Sequence, residues 1–72
     1  MKPEEAAKDF GKRLKKQIAE GRATRSEIMR RTDLNASYLS LIVNGKINIK
    51  IALQNLIIID GLQMKRSDFY LD

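Results

Sequence analysis

The side chains of this chain that could do chemistry are mainly cations. Its 72 residues hold 14 lysines and arginines against nine aspartates and glutamates, and the formal net charge is +5 at pH 7. All of the net charge lies in residues 1–46. Residues 12–31 contain only two anions and eight cations: Lys12, Arg13, Lys15, Lys16, Arg22, Arg25, Arg30 and Arg31. This charge favours a polyanionic partner, with a solvated, lysine-rich helix face as the alternative.

Groups that commonly serve as nucleophiles or metal ligands are scarce. The chain has no histidine, cysteine or tryptophan, and it has no glycine-rich phosphate loop. Each carboxylate has an ordinary role as a helix cap, a dipole partner or a solubilising charge. A chain this short can hardly enclose a substrate pocket in addition to a core. We therefore expect no enzyme activity, no metal, no cofactor and no small-molecule ligand.

The expected compartment is the cytoplasm. Without cysteine there is no disulfide framework and no support for secretion. The longest apolar run, Leu56 to Ile59, is far shorter than the roughly 20 residues of a membrane-spanning helix. A basic first helix lying on a membrane surface is the weaker alternative, because its apolar stripe is rich in alanine and its one large aromatic anchor is Phe10.

A first helix is predicted from Pro3 to about Ala19. Proline suits the first turn, the following glutamates complement the helix dipole, and Gly21 ends the helix. Its apolar residues share one stripe at helical spacing: Ala6, Ala7, Phe10, Leu14 and Ile18. Lysines occupy the opposite side: Lys8, Lys12, Lys15 and Lys16.

Two short helices are predicted between Thr24 and Gly45. Thr24 and Glu27 form the pattern of a capping box, in which each side chain binds the other residue's backbone N–H. The pattern of the first of these helices is interrupted at Thr32-Asp33. Asn35 can cap the second, which spans Ala36 to about Val43 and ends before Asn44-Gly45.

The segment after Gly45 has two interpretations. Residues 46–51 alternate apolar and polar side chains as a half-buried strand does. A helix over about 49–60, with Asn48 as its N-cap, explains a longer pattern and is preferred. Gly61 would end this helix in the left-handed conformation. Ser67-Asp68 could start one last short turn. Together the elements predict an all-α fold, a compact bundle of about five short helices forming a single domain over residues 1–72.

The predicted fourth helix carries more apolar residues than one buried face requires. We interpret the excess as a self-association face, because small monomers seldom leave large aliphatic side chains in water. The alternative is that residues 63–72 fold back and cover it. The predicted dimer interface consists of Ile51, Asn55, Ile58, Leu62, Phe69 and Tyr70.

The segment Leu34-Asn35-Ala36-Ser37-Tyr38-Leu39-Ser40-x-Ile42-x-Asn44-Gly45 resembles the helix-turn-helix of the phage-repressor and Cro-like family, the xenobiotic-response-element type of DNA-binding protein. The resemblance begins at Phe10-Gly11-Lys12-Arg13-Leu14 and covers most of the chain, so the resemblance implies a lambda-repressor-like bundle. Three positions depart from the family pattern. Met29 replaces a small residue, Asp33 replaces a glycine in the turn, and Arg25 replaces a common glutamine.

The resemblance implies a transcriptional regulator, most simply a repressor, that binds the major groove of double-stranded DNA as a homodimer on a palindromic operator. The residues implied to face bases are Asn35, Ala36, Ser37 and Leu41. Those implied to contact phosphates are Arg25, Tyr38, Ser40, Asn44 and Lys46. Two roles have alternatives, since Asn35 could be spent as a cap and Tyr38 could be partly buried. The alternative functions are a protein-interaction module, such as an antitoxin or controller subunit, and a non-specific nucleic-acid binder.

Overall fold

Helices account for every regular element among residues 2–71, the part of the chain that the computed structural model describes. The five helices are α1 Pro3–Ala19, α2 Arg25–Thr32, α3 Ala36–Val43, α4 Ile51–Asn55 and α5 Arg66–Phe69. A π-helical segment, Leu56–Gly61, continues α4 without a break. The predicted all-α bundle of about five helices is confirmed. Residues 1 and 72 of the predicted domain lie outside the described range.

Helix α1 has the predicted bounds because its local signals agree with its buried face. Pro3 occupies its first turn together with two glutamates, and the chain leaves the helix at Ala19 ahead of Gly21, whose φ is +84°. Ala7, Phe10 and Leu14 are buried. The lysines of this helix therefore point away from the core.

Helix α2 begins with the predicted capping box. The Thr24 hydroxyl accepts from the Glu27 backbone N–H at 3.1 Å, and the Glu27 carboxylate accepts from the Thr24 N–H at 2.9 Å. The helix ends at Asp33, which adopts the left-handed conformation with φ 61° and ψ 25°. Its N–H donates to the carbonyl of Met29 at 2.8 Å. Asp33 thus does what glycine usually does at a helix C-terminus.

Helices α1 and α3 touch backbone to backbone. A Cβ atom on Gly11 would lie 2.7 Å from the carbonyl oxygens of both Ile42 and Val43. Gly45, at φ +67°, passes equally close to Lys8, since a Cβ there would lie 2.9 Å from the Lys8 Cα. The glycines therefore fix where α1 crosses the C-terminal end of α3.

The predicted start of the fourth helix is wrong by about two residues. The helix begins at Ile51, after Lys50, and Asn48 does not cap it. Residues 48–50 form neither helix nor strand, so the strand interpretation is also wrong. Ile49 is buried from this extended connection, and its carbonyl accepts from the Gln54 amide at 3.2 Å. Ile49 packs in the core although it precedes the first residue of the helix. The helical pattern alone could not indicate this position of the helix start.

The predicted role of Gly61 is wrong as well. The left-handed residue is Gln63, with φ 55°, and Gly61 lies two residues earlier at the end of the π-helical segment. A Cβ on Gly61 would lie 3.3 Å from the Cγ2 methyls of Ile28 and Thr32. The carbonyl of Gly61 also accepts from Arg31 at 2.9 Å. Gly61 therefore allows close packing against α2.

The C-terminal segment covers much of the predicted dimer interface. Ile58, Leu62 and Phe69 are buried within the protomer, and the Phe69 ring packs 5.2 Å from that of Phe10. Their assignment to an interface is wrong, because α5 folds back and places Phe69 in the core. The alternative interpretation, a covering tail, accounts for these three residues.

The remaining predicted interface residues differ in exposure. Asn55 is half-buried and accepts a hydrogen bond from Arg66. The centre of the Tyr70 ring lies 5.4 Å from the Arg13 guanidinium carbon, and the Tyr70 hydroxyl donates to the Gln54 side chain. Ile51 stays 65% exposed. Only part of the predicted face is available to a second protein.

Candidate nucleic-acid interface

Helix α3 turns one side to the core and the other to solvent. Leu39, Ile42 and Val43 are buried, and their spacing fixes the rotation of the helix about its axis. The exposed side carries all four of the residues predicted to face bases: Asn35, Ala36, Ser37 and Leu41. Leu41 is 42% exposed and lies outside the core. The exposed side of α3 is mostly small and apolar.

Asn35 is committed to capping α3. Its side-chain oxygen accepts from the backbone N–H of Tyr38 at 2.8 Å. A bidentate contact with adenine needs both the oxygen and the amide nitrogen of an asparagine. With the oxygen engaged, Asn35 retains only its amide as a donor for a base or a phosphate. Its predicted part in base reading is therefore limited to donation from the amide nitrogen.

The five predicted phosphate contacts lie around α3. Arg25 is exposed in the first turn of α2, and Asn44 and Lys46 are exposed just beyond the end of α3. Tyr38 is 36% exposed, so the residue is partly covered and still reaches solvent. The Ser40 hydroxyl is half-buried and accepts from the Asn44 amide at 3.4 Å. Polar and cationic groups thus flank the apolar side of α3 at both ends.

Two of the eight clustered cations are engaged in contacts within the fold. Arg31 donates to the Gly61 carbonyl and to the Glu27 carboxylate, the latter at 3.2 Å. Arg13 pairs with Asp9 at 2.9 Å and stacks on Tyr70. Both arginines hold helices together, so they are not free to serve a ligand without loosening the fold.

Three lysines of α1 lie beside the end of α3. Lys8, Lys12 and Lys15 line one shallow groove together with Val43 and Asn44. None of the three was assigned to the site from the sequence. Their spacing in the sequence already places the three lysines on one face of α1, opposite its apolar stripe. What the sequence lacked was the crossing of α1 over α3.

The pKa of the Glu27 carboxyl, at the start of α2, lies below its usual value. The hydrogen bond from the Thr24 backbone N–H is the main cause that lowers the pKa of this carboxyl, and the positive charge of Arg31 adds to it. Partial desolvation opposes the shift. The group therefore remains a carboxylate to lower pH than a free glutamate does.

Other kinds of site gain no support from the described residues. No group of acidic or other ligating side chains among residues 2–71 is arranged to hold a metal ion. None of the helices in that range combines the length and the apolar character needed to cross a membrane.

The solvent side of α3, its flanking polar groups and the α1 lysines together form the candidate interface. Comparisons of the chain with protein-family models, curated proteins and solved structures find no match. What this surface binds must therefore be inferred from its own shape and charge.

Proposed function

We propose that this chain is a sequence-specific DNA-binding regulator, most simply a repressor that occludes its operator. The observation that carries the proposal is the exposed side of α3, where Ala36, Ser37 and Leu41 face solvent, with exposed cations in the preceding helix and the following turn at Arg25 and Lys46. The net charge of +5 supports a polyanionic partner.

The dimensions of α3 suit the major groove of DNA. Eight residues give a helix roughly 12 Å long, and a helix with its side chains fits a groove about 12 Å wide. With the N-terminal turn directed inward, Ser37 reaches base edges, and Ala36 and Leu41 reach thymine methyl groups. No arginine or glutamine is present there for bidentate readout. DNA shape and phosphate contacts therefore supply part of the discrimination.

The flanking residues set the register of the helix on DNA. Arg25 precedes the groove-facing helix in the sequence, and Asn44 and Lys46 follow it. Hydrogen bonds and charge at both ends hold α3 against the two sugar-phosphate backbones without reading sequence. Tyr38 and Ser40 provide hydroxyl groups for the same purpose.

A homodimer is proposed to place two copies on a palindromic site. Ile51, Asn55 and Ile59 are spaced four residues apart, and the two isoleucines are 65% and 52% exposed. In a regular α-helix Ile59 would lie about 80° around from Ile51. The wider π-helical turns reduce this angle, so the three residues approach a single stripe. The stripe has an isoleucine on each side of Asn55. In an antiparallel pair, Asn55 would therefore face Asn55 of the second copy, and Ile51 would face its Ile59.

Selection of bound sequences from a random duplex pool tests the proposal. We expect a palindrome whose half-site centres are about 34 Å apart, one turn of DNA. A pool that shows no enrichment after repeated rounds would refute sequence-specific binding. Enrichment of a single unpaired half-site would refute the homodimer and leave the DNA-binding helix in place.

The exposed isoleucines also favour a second candidate, a protein-interaction module. In that case the stripe formed by Ile51, Asn55 and Ile59 would bind a different chain. Sedimentation of the purified protein with and without selected DNA separates the two. Pairing of the chain with itself supports the regulator, and a monomer that does not bind the DNA supports the module.

A further inference from the structure

We propose that Lys8, Lys12 and Lys15 of α1 form a phosphate-binding row that extends the DNA contact beyond α3. The inference depends on the proposed function, because it assumes that α3 enters the groove. It assigns to α1, otherwise a packing helix, a direct part in binding the sugar-phosphate backbone.

The placement of the row is the first argument. The three lysines line a groove with Val43 and Asn44, so they adjoin a residue already proposed to contact phosphate. Lys8 also lines a second groove, together with Gly45 and Lys46. A helix that lies in the major groove leaves it at a phosphate backbone. Cations beside the C-terminal end of α3 therefore meet that backbone.

The rigidity of the crossing is the second argument. The carbonyls of Ile42 and Val43 approach Gly11 too closely for a Cβ atom, so α1 cannot slide along α3 without a clash. The row thus keeps a fixed distance from the groove-reading side chains. From Lys8 to Lys15 the helix rises roughly 10 Å, so the row can reach more than one phosphate of a strand.

The charge of the row is the third argument. Within residues 2–71 none of the three lysines has an ion pair, while neighbouring Arg13 is held by Asp9. Glu4 lines the second groove with Lys8 and weakens the potential at that end. Lys15 has no acid among the residues lining its groove, whereas Lys12 also lines a groove that contains Asp9. We expect Lys15 to contribute most.

A purely structural role makes a different prediction. Helix α3 has no basic residue in its last turn, so lysines from α1 could serve the partial negative charge of its C-terminal carbonyls. Removing them would then lower the unfolding temperature and leave the salt dependence of DNA binding unchanged. The two roles are therefore separable in one pair of measurements.

The test compares two triple variants with the same change in charge. Lys8→Gln, Lys12→Gln and Lys15→Gln are combined in one, and Lys16→Gln, Lys50→Gln and Lys65→Gln in the control. Lys16 lines a groove beside Phe69, which it shares with Lys12 but not with Lys8 or Lys15. Affinity is measured over a series of salt concentrations on a selected duplex and on a random one, and thermal unfolding is recorded for each protein.

We expect the slope of log affinity against log salt concentration to become less steep in the row variant, by about 2 to 3 per protomer on both duplexes. Each phosphate contact contributes about 0.9 to the magnitude of this slope. The control should change the slope by less than about 1 per protomer on the same scale. Equal slopes in the two variants would overturn the inference, as would a lower unfolding temperature with an unchanged slope. An enriched palindrome with unchanged slopes refutes the row alone. A flattened slope without enrichment refutes sequence-specific binding and retains the row.

Discussion

Asp33 shows how a single residue can fill a role for which its type is poorly suited. It takes the left-handed conformation at the end of α2, where it also brings a negative charge close to the carbonyl end of the helix dipole. Aspartate tolerates this conformation better than most residues, but glycine adopts it without a steric cost. The turn between α2 and α3 therefore forms in spite of the Cβ atom and the charge of Asp33.

Asp33→Gly should stabilise the protein by about 0.5–1 kcal/mol, because it relieves both the left-handed strain and the unfavourable charge at the helix end. Urea unfolding measures the change. Asp33→Ala is the control, since it removes the charge and keeps a Cβ in the same conformation. If Ala stabilises the protein as much as Gly does, charge and not backbone strain is the cost at this position.

Ser37 and Arg25 are proposed to contact different parts of DNA, Ser37 the base edges and Arg25 the phosphates. Ser37→Ala should change which bases are preferred and leave the salt slope as it is, because a groove-facing hydroxyl carries no charge. Arg25→Ala should weaken binding to all sequences and flatten the slope by about 1 per protomer. Parallel titrations on selected and random duplexes decide. A loss of base preference equal in both variants would refute these assignments.

At the scale of elements, local signals decided some boundaries and tertiary packing decided others. Helix α1, the capping box of α2 and the Asn35 cap of α3 were predicted correctly because the signals lie within four residues of each helix end. The start of α4 and the role of Gly61 were not. Both depend on residues distant in sequence, namely the core around Ile49 and the packing of α2.

The candidate site shows the same division. Periodicity placed Ser37 and Leu41 away from the buried face of α3, because its buried residues recur at helical spacing, and the family resemblance added Ala36. It could not show that Arg31 is engaged by the Gly61 carbonyl, thirty residues away. Nor could it bring Lys8 beside Asn44. Contacts between distant elements need the three-dimensional arrangement.

The capping box gives α2 a dependence on pH. The folded-state pKa of Glu27 lies below its ordinary value of 4.5. The stabilisation it brings is therefore complete above pH 4.5 and is lost as the pH falls through the folded-state pKa. Glu27→Gln keeps an acceptor for the Thr24 N–H but cannot titrate.

The free energy of unfolding of the unaltered chain should consequently fall more steeply on acidification than that of the Glu27→Gln variant. Urea unfolding at a series of pH values below 6 measures both curves, and every other carboxylate is present in both proteins. Curves that remain parallel down to the acid transition would show that Glu27 does not stabilise the folded state through its charge.

At the scale of the whole molecule, the C-terminal segment limits how the protein can pair. Phe69 packs on Phe10 and seals the core, while Tyr70 and Arg66 engage the side of α4. This removes Ile58 and Leu62 from the surface and leaves the shorter stripe of Ile51 and Ile59. Such a small apolar area supports only weak pairing, well below that of a standard interface. DNA is then expected to hold the two copies together.

Ile51→Glu and Ile59→Glu, combined, should abolish pairing on a palindromic duplex with little effect on folding, since both side chains are already exposed in the protomer. Leu71→Glu is the matched control, because Leu71 is 71% exposed and lies outside the stripe. Binding to a full palindrome should lose its cooperativity in the double variant, while affinity for an isolated half-site remains within about threefold, or about 0.7 kcal/mol. Cooperativity that survives in the double variant would place the contact between copies elsewhere, and its loss in Leu71→Glu would move that contact to the C-terminal segment.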